Sequence, residues 1–381
     1  MNHALRRILV IRNDKLGDFM LAWPALALLR ASLPDAHIAV LVPAYTAPLA
    51  EICPSIHSVI IDPKEQGDWR NGRALAKLLR PHRFDAVITL FSRFDTGLAV
   101  WSAGIGYRLA PATKLAQMFY NHRLKQRRSE SAKPEYEYNL DLIKYFLSAS
   151  NKMLQLPLTP SLSRQGRGGR EESHETRTSI LLENLRDNDR EESPLPAPPY
   201  LRFDESEMHA LEQQFRHTHG IAAGRRLIFV HPGHGGSASN LSLAQFAKLI
   251  RGLHSHGGHQ VVLTAGPGEE SQARELAALL NGVPHCVYIS HDGLVKFARH
   301  LQFCDVLISG STGPLHIAGA LNCRTAAFYP RRRSSTALRW QTVNAADRRL
   351  AFEPPAGSGE SDMQAVDVAS AAVEISEKYL Q

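Results

Sequence analysis

Long apolar runs are missing from this chain of 381 residues. No stretch of about 18 consecutive apolar residues occurs, so we expect no membrane-spanning helix. The N-terminus also lacks the pattern of a secretory signal, because the apolar stretch 8–11 is short and the charged residues Arg12, Asp14, Lys15 and Asp18 follow at once. A cytoplasmic location is the prediction that follows.

Cysteine is scarce and scattered. The four cysteines, Cys53, Cys286, Cys304 and Cys323, form no Cys-x-x-Cys pair and no Cys/His spacing of the kind that binds a metal. This usage is typical of a reduced compartment, and it predicts no disulfide framework and no metal site.

Two phosphate-binding signatures are also absent. The chain contains neither a Gly-x-Gly-x-x-Gly fingerprint nor a Walker motif, which argues against a dehydrogenase and against a P-loop enzyme. With 44% hydrophobic and 21% charged residues, the composition is that of a globular protein with room for two domains.

The net charge of +7 favours an anionic partner. The basic residues gather in two clusters: Arg123, Lys125, Arg127 and Arg128, and then Arg331, Arg332, Arg333 and Arg339. Solvated surface, a phosphorylated substrate or anionic lipid headgroups would each explain them. No nucleic-acid motif and no interleaving of aromatic with basic residues accompanies the clusters, so nucleic acid is not the expected partner.

Short apolar segments alternate with helical patterns along both halves of the chain. Predicted strands lie at 8–11, 37–42, 58–61 and 85–90, and again at 227–230, 260–264, 287–289, 305–308 and 325–329. Such alternation predicts parallel sheets that are covered on both faces. We therefore expect an α/β protein with two doubly wound, Rossmann-like domains that face a central cleft.

The composition divides the chain into four parts. We assign residues 1–157 to a first domain and 200–353 to a second, with a flexible segment and a C-terminal helix at 354–381. Residues 158–199 are polar and rich in glycine and proline, as in the stiff run 193–199. Such a segment cannot bury enough apolar surface to become ordered, and it predicts a disordered linker or insertion.

Three strand–turn–helix junctions carry the polar residues of interest. The first is the stretch 6–26, where Asp18 lies between the first strand and the first helix. The second is the turn from His231 to Asn240, whose glycines let backbone N–H groups approach an anion and whose Ser237 and Ser239 add hydroxyl donors. Structurally, this second turn could equally be a flexible loop.

The third junction is Ser309–Ala318. Thr312 and Gly313 would present donors at a helix N-terminus, which favours an anion without the help of a metal, and Pro314 suits the first helical turn. Taken alone, the pattern favours a capped helix with His316 in the core.

Together these junctions resemble glycosyltransferase family 9, the heptosyltransferase-type enzymes. The matching residues are Arg12, Leu16-Gly17-Asp18 and Pro24-Ala25-Leu26, then His231-Pro232-Gly233, and finally Thr312-Gly313-Pro314 with His316 and Ala318. The resemblance covers both halves apart from the linker. It implies a two-domain GT-B fold and an inverting, metal-independent transfer of a sugar, typically heptose from ADP-heptose, onto a lipopolysaccharide core or related glycan.

The resemblance also implies roles for individual residues. Asp18 would be the general base, with Gly17 letting the acceptor approach. Ser237, Ser239, Thr312 and Gly313 would hold the diphosphate, with Ser311 in the same turn and His316 close by. The cation at the phosphate would be Arg12 or an arginine among Arg331, Arg332 and Arg333; which of these is open. Glu269 or Glu270 would accept hydrogen bonds from the ribose; which of the two is open. No cofactor is implied beyond the nucleotide-sugar substrate.

The chain departs from the family pattern at two places. Ser311 stands where the family has aspartate, and 239–242 replaces a Lys-x-Trp-Pro segment, which removes a lysine expected at the phosphate. Two alternatives therefore stay open: a degenerate member that binds a nucleotide-sugar or glycan without transfer, and a GT-B enzyme that uses a UDP- or GDP-sugar. A lipid-linked acceptor would bring the protein to the inner face of the membrane, with the basic residues as one means of attachment.

Overall fold

The computed structural model describes residues 6–64, 68–113, 115–155, 195–233 and 239–381. Most of the predicted linker 158–199 therefore lies outside the described residues. The rest forms two six-stranded sheets, each of which is entirely parallel.

The first sheet has the strand order β3-β2-β1-β4-β5-β6. Its strands are β1 (Arg7–Ile11), β2 (His37–Val42), β3 (Ser58–Ile61), β4 (Ala86–Thr89), β5 (Tyr107–Pro111) and β6 (His122–Leu124). The accompanying helices are α1 (Leu16–Met20), α2 (Trp23–Ser32), α3 (Ala47–Glu51), α4 (Asp68–Leu79), α5 (Phe94–Ser102) and α6 (Glu135–Gln155), with a 3₁₀ helix at Leu115–Phe119.

The second sheet has the order β12-β11-β10-β7-β8-β9, which is the same winding as in the first sheet. Its strands are β7 (Leu227–His231), β8 (Gln260–Ala265), β9 (His285–Ile289), β10 (Val306–Gly310), β11 (Thr325–Phe328) and β12 (Arg349–Phe352). Its helices are α7 (Glu205–Thr218), α8 (Leu243–Ser255), α9 (Glu270–Ala278), α10 (Gly293–Leu301), α11 (Gly313–Ala320), α12 (Ala337–Trp340) and α13 (Val368–Ile375).

Continuous apolar sequence explains why the strands are buried on both faces. In β1, Ile8 and Val10 belong to one apolar cluster, whereas Leu9 and Ile11 belong to another on the opposite side. The first of these clusters also contains Phe229 of β7, so the two domains share buried surface. The predicted α/β class with two doubly wound sheets is confirmed.

Several elements differ from the sequence-based expectation. The alternation did not predict β5, β6 or β12, which have three to five residues each and carry an arginine among their first two residues. The C-terminal segment contains hydrogen-bonded turns within 355–362, and α13 then joins the apolar core of the second sheet.

Candidate active site

Each sheet places its polar turns at the point where the strand order reverses. In the first sheet β1 lies beside β4, and in the second β7 lies beside β10. The junction that carries Asp18 follows β1, the turn at His231 follows β7, and the turn at Ser311 follows β10. Ligands of doubly wound sheets bind beyond the carboxyl ends of the strands at such reversal points. The predicted site residues therefore lie where the fold favours a ligand.

Arg12 organises the carboxylates around Asp18. Its guanidinium donates from Nε to Asp14 Oδ1 at 2.9 Å and from Nη2 to Asp18 Oδ1, and its Nη1 lies 3.5 Å from Glu135 Oε1. The Arg12 side chain is only 2% exposed, whereas Asp18 keeps 13% of its surface. This geometry favours a role for Arg12 in positioning the base over the predicted direct contact with substrate.

Burial and neighbouring charges set the protonation of Asp18. Removal from water raises the pKa of Asp18, the Arg12 cation opposes that rise, and the Asp14 and Glu135 carboxylates add to it, so that the pKa reaches about 6. Burial alone would lower the pKa of Arg12, but the three carboxylates raise it above its ordinary value. Asp18 is thus a carboxylate at neutral pH with an unusually high proton affinity, which suits a general base.

Glu135 connects the two domains. Its carboxylate accepts from Arg128 at 2.8 Å and from Arg339, which comes from the second domain, at 2.9 Å. Arg339 also donates to the backbone carbonyl of Arg128 and to Ser131 Oγ. Burial, together with the Arg12 and Arg339 cations, lowers the pKa of Arg128 to about 10 although Glu135 opposes this.

One member of each predicted basic cluster therefore has an internal role. Arg128 and Arg339 meet on a buried carboxylate, and neither belongs to a solvated surface patch. In the second cluster Arg331, Arg332 and Arg333 are all exposed, and Arg331 lies 3.9 Å from Glu353. Each cluster therefore keeps three exposed cations and places its fourth in the buried network at Glu135.

Gly17 lies against His316 of the second domain. A Cβ atom built on Gly17 would be 2.8 Å from His316 Cδ2, and one on Gly313 would be 2.7 Å from Leu16 Cδ2. Two glycines thus allow α1 and α11 to approach each other closely. The structure gives Gly17 a packing reason, in addition to the predicted one of making room for an acceptor.

His316 is enclosed by this contact. It is 3% exposed, burial lowers the pKa of its imidazole to about 4, and its Nδ1 makes no hydrogen bond. The ring is therefore neutral at physiological pH. It contributes to the contact between the domains.

The turn after β7 is in contact with Glu269. His231 bridges two side chains, with Nδ1 at 3.1 Å from Thr264 Oγ1 and Nε2 at 3.3 Å from Glu269 Oε2. Glu269 also accepts from Gly266 N at 3.3 Å, and a Cβ on Gly233 would collide with its carboxylate. Glu270 is also partly buried, and it accepts from Gly268 N. Of the two predicted ribose ligands, Glu269 is thus the one that contacts His231 of the turn after β7, and which of them binds ribose stays a prediction.

The third turn is held together by small polar side chains. Ser309 Oγ and Thr312 Oγ1 lie 2.9 Å apart, and Thr312 is the residue that precedes α11. A Cβ on Gly310 would be 2.7 Å from Asn240 Oδ1, and Asn240 Nδ2 donates to Pro232 O at 3.0 Å. Asn240 thus joins the turns after β7 and β10 into one surface.

The remaining predicted residues are placed as follows. Ser239 is exposed at the end of the turn after β7. Ser311 and Gly313, in the turn after β10, are partly buried. Ser237 lies outside the described residues. Among the parts of the chain that the structure describes, no group of three or more His, Cys, Asp or Glu residues could hold a metal ion.

Three residues of the site were missed by sequence reasoning. Glu135 and Arg339 lie far from the motifs in sequence, and Asn240 was noted only as a departure from the family pattern. A buried glutamate at the start of α6 has no local signature, because its partners lie 123 residues before it and 204 after it.

Comparisons with known proteins bear on the whole chain. The family model for glycosyltransferase family 9 (heptosyltransferase) matches residues 173–351. A Haemophilus influenzae protein provisionally named a glycosyltransferase is 44% identical over 98% of this chain and 96% of its own length. Lipopolysaccharide heptosyltransferase 2 of Escherichia coli is 24% identical over 85% of this chain and 82% of its own length.

Solved structures agree on the fold. The E. coli ADP-heptose lipopolysaccharide heptosyltransferase II superposes with a TM-score of 0.71 at 21% identity, covering 98% of this chain and 99% of that one. A family 9 glycosyltransferase from Veillonella parvula gives 0.73 at 17% identity, covering 100% and 99%. The relatives show the family, and the superpositions over both domains show the fold. The chain belongs to glycosyltransferase family 9 and is a heptosyltransferase-like enzyme with the GT-B fold.

Proposed function

We propose that this enzyme transfers heptose from ADP-heptose to a lipopolysaccharide core or a related envelope glycan, with inversion and without a metal ion. The observation that carries the proposal is the placement of Asp18. Its partly exposed carboxylate, with a pKa of about 6, lies at the reversal point of the first sheet. The α1 helix that bears it touches α11, which begins at the turn after β10.

Asp18 would act on the acceptor. A sugar hydroxyl is a poor nucleophile, and a carboxylate can take its proton as the oxygen attacks the anomeric carbon. The bond between that carbon and the diphosphate oxygen breaks in the same step, and ADP leaves with the bonding electron pair. Attack from the face opposite the leaving group inverts the anomeric configuration.

The second domain would hold the donor. Backbone N–H groups at the start of α11 and the hydroxyl groups of Ser311 and Ser239 are suited to the diphosphate, whose negative charge grows as it leaves. Glu269, on the turn after β8, would accept from the ribose hydroxyls. The E. coli relative is an ADP-heptose lipopolysaccharide heptosyltransferase, which supports this donor and acceptor class for the present chain.

A nucleotide panel tests the donor. Thermal shifts with ADP, UDP and GDP should show selective stabilisation by ADP. The enzyme should then turn over ADP-heptose in the presence of a core oligosaccharide acceptor. A preference for UDP or GDP would mean that the donor is a UDP- or GDP-sugar, transferred by the same mechanism. Nucleotide binding without turnover of any sugar donor would favour the degenerate binding protein and would contradict the proposed role of Asp18 as general base.

The absence of membrane-crossing helices is a separate finding. In the part of the chain that the structure describes, each helix is too short or too polar to cross a bilayer. A peripheral position at the inner face of the membrane is part of the proposal, because it follows from a lipid-linked acceptor.

A further inference from the structure

Large apolar side chains are exposed together on the first domain. Leu115 is 79% exposed, Met118 70%, Trp69 64% and Trp101 56%. We call these four residues the apolar face. Soluble surfaces rarely leave several large apolar side chains in one place uncovered, and such patches mark interaction sites.

Aromatic contacts make the apolar face continuous. The Trp69 ring lies 5.5 Å from Phe94, Phe94 lies 5.2 Å from Phe119, and Phe119 lies 6.2 Å from Trp101, all between ring centroids. Leu115 and Met118 belong to the same 3₁₀ helix as Phe119. Because residues three apart eclipse each other in a 3₁₀ helix, Leu115 and Met118 share one side of it.

Helix α4 brings positive charge to one side of this surface. Helix α4, which contributes Trp69, carries three cations, Arg70, Arg73 and Lys77, against the single carboxylate of Asp68. All four side chains are exposed. Arg70 and Arg73 are one and four residues from Trp69, so at least one guanidinium shares its side of the helix. The combination of tryptophan, leucine and methionine with arginine fits a bilayer that carries anionic headgroups.

One end of the apolar face lies at the same edge of the first sheet as Asp18. Trp69 is in the first turn of α4 after β3, its neighbour Phe94 begins α5 after β4, and Asp18 is in α1 after β1. The carboxyl ends of parallel strands meet at one edge of a sheet. A bilayer beneath the apolar face would therefore border the edge that carries Asp18.

We propose that the apolar face docks the enzyme onto an anionic phospholipid bilayer, with Trp69, Trp101, Leu115 and Met118 inserted among the headgroups. The docking itself follows from exposure and charge. That it presents a lipid-linked acceptor to Asp18 rests on the proposed function. This assigns membrane attachment to α4, α5 and the 3₁₀ helix 115–119, and not to the two basic clusters of the sequence.

Vesicle flotation with the full-length chain tests the proposal. Wild-type protein should float with phosphatidylglycerol-containing vesicles and much less with phosphatidylcholine alone. The double variant Leu115→Gln, Met118→Gln should lose at least roughly tenfold in partitioning, because two large apolar side chains would no longer be buried. The matched control Leu279→Gln, Val373→Gln changes two exposed apolar residues of the second domain and should bind as wild type does.

Tryptophan fluorescence provides a second measurement. Of the four tryptophans, Trp69 and Trp101 lie on the apolar face, whereas Trp23 is fully buried. Brominated lipids should quench the Trp69 and Trp101 emission, and the Trp69→Phe, Trp101→Phe variant should lose most of that quenching.

Three results would overturn the proposal. The first is that the wild type does not float, and the second is that the control variant loses as much partitioning as the Leu115, Met118 variant. The third is that the apolar face is buried in a dimer. Light scattering would then show a dimer for the wild type and a monomer for the Leu115, Met118 variant. An Asp18→Asn variant separates the two proposals: it should float as the wild type does while losing transfer. An Asp18→Asn variant that floats and keeps full turnover contradicts only the proposed transfer.

Discussion

Arg339 Nη2 of the second domain lies 2.9 Å from Glu135 Oε2 of the first. The same carboxylate contacts Arg128 and Arg12, and Arg12 holds Asp18. A chain of charged groups thus runs from the second domain to the candidate base. Because Glu135 is 2% exposed, these interactions are poorly screened by solvent. The packing of the domains and the charge around Asp18 are therefore linked.

Glu135→Gln should destabilise the fold. The substitution keeps the shape of the side chain but leaves Arg12, Arg128 and Arg339 without their shared counter-charge. Breaking a buried ion pair costs about 3–5 kcal/mol. Urea unfolding should show a loss in this range. The control Asp141→Asn removes a half-exposed partner of Lys133 and should cost less than about 1 kcal/mol. A loss below about 1 kcal/mol in Glu135→Gln, as in the control, would mean that the Glu135 network contributes little.

The pH dependence of transfer should report Asp18. Since the pKa of Asp18 is raised to about 6, the base is a carboxylate above that pH and is protonated below it. We expect kcat/KM to fall about tenfold per pH unit below about pH 6. Asp18→Asn should reduce kcat by about 10²-fold or more at every pH. An Asp18→Asn enzyme with normal turnover would show that another group takes the proton.

Glu135→Gln should also move the acid limb of that profile. The Glu135 carboxylate raises the pKa of Asp18, so its removal should lower that pKa and shift the limb to lower pH. A purely structural role for Glu135 would reduce the amount of folded enzyme without moving the limb. The measurement is kcat/KM against pH, normalised to folded protein.

Gly17→Ala should disturb the contact between the domains. The new methyl group would be 2.8 Å from His316 Cδ2, and the buried ring has little room to move. Overpacking of this kind costs about 1–3 kcal/mol. Combining it with His316→Ala should cost less than the sum of the single changes, since the smaller side chain makes room. Strict additivity would contradict the contact. As a control, Gly106→Ala meets only a carbonyl at 4.0 Å and should be nearly neutral.

Glu269→Gln and Glu270→Gln form a matched pair. If Glu269 accepts from the ribose, its loss of charge should weaken ADP binding by roughly tenfold or more, in line with about 1.5–3 kcal/mol for a hydrogen bond to a charged group. Glu270 should be replaceable without effect. Isothermal titration with ADP decides between them, and a larger effect at Glu270 would reverse the assignment.

The sequence predicted the architecture well where the pattern was strong. The apolar segments of β1, β2 and β7 are buried on both faces, and their continuous apolar sequence predicts strands of this kind. The short β6 and β12 contain arginine near the edge of a sheet, and only their pairing with β5 and β11 makes them strands. Local pattern carries no information on such pairing.

The sequence by itself determined the parallel α/β class, the three turns and Asp18 as a carboxylate after the first strand, because these depend on short-range periodicity and turn chemistry. Tertiary structure alone decided what surrounds them. It placed Glu135 and Arg339 on the same network, turned Glu269 inward, closed His316 against Gly17 and left the apolar face uncovered. Burial and charge depend on neighbours far apart in the chain, and they set the pKa of Asp18 at about 6.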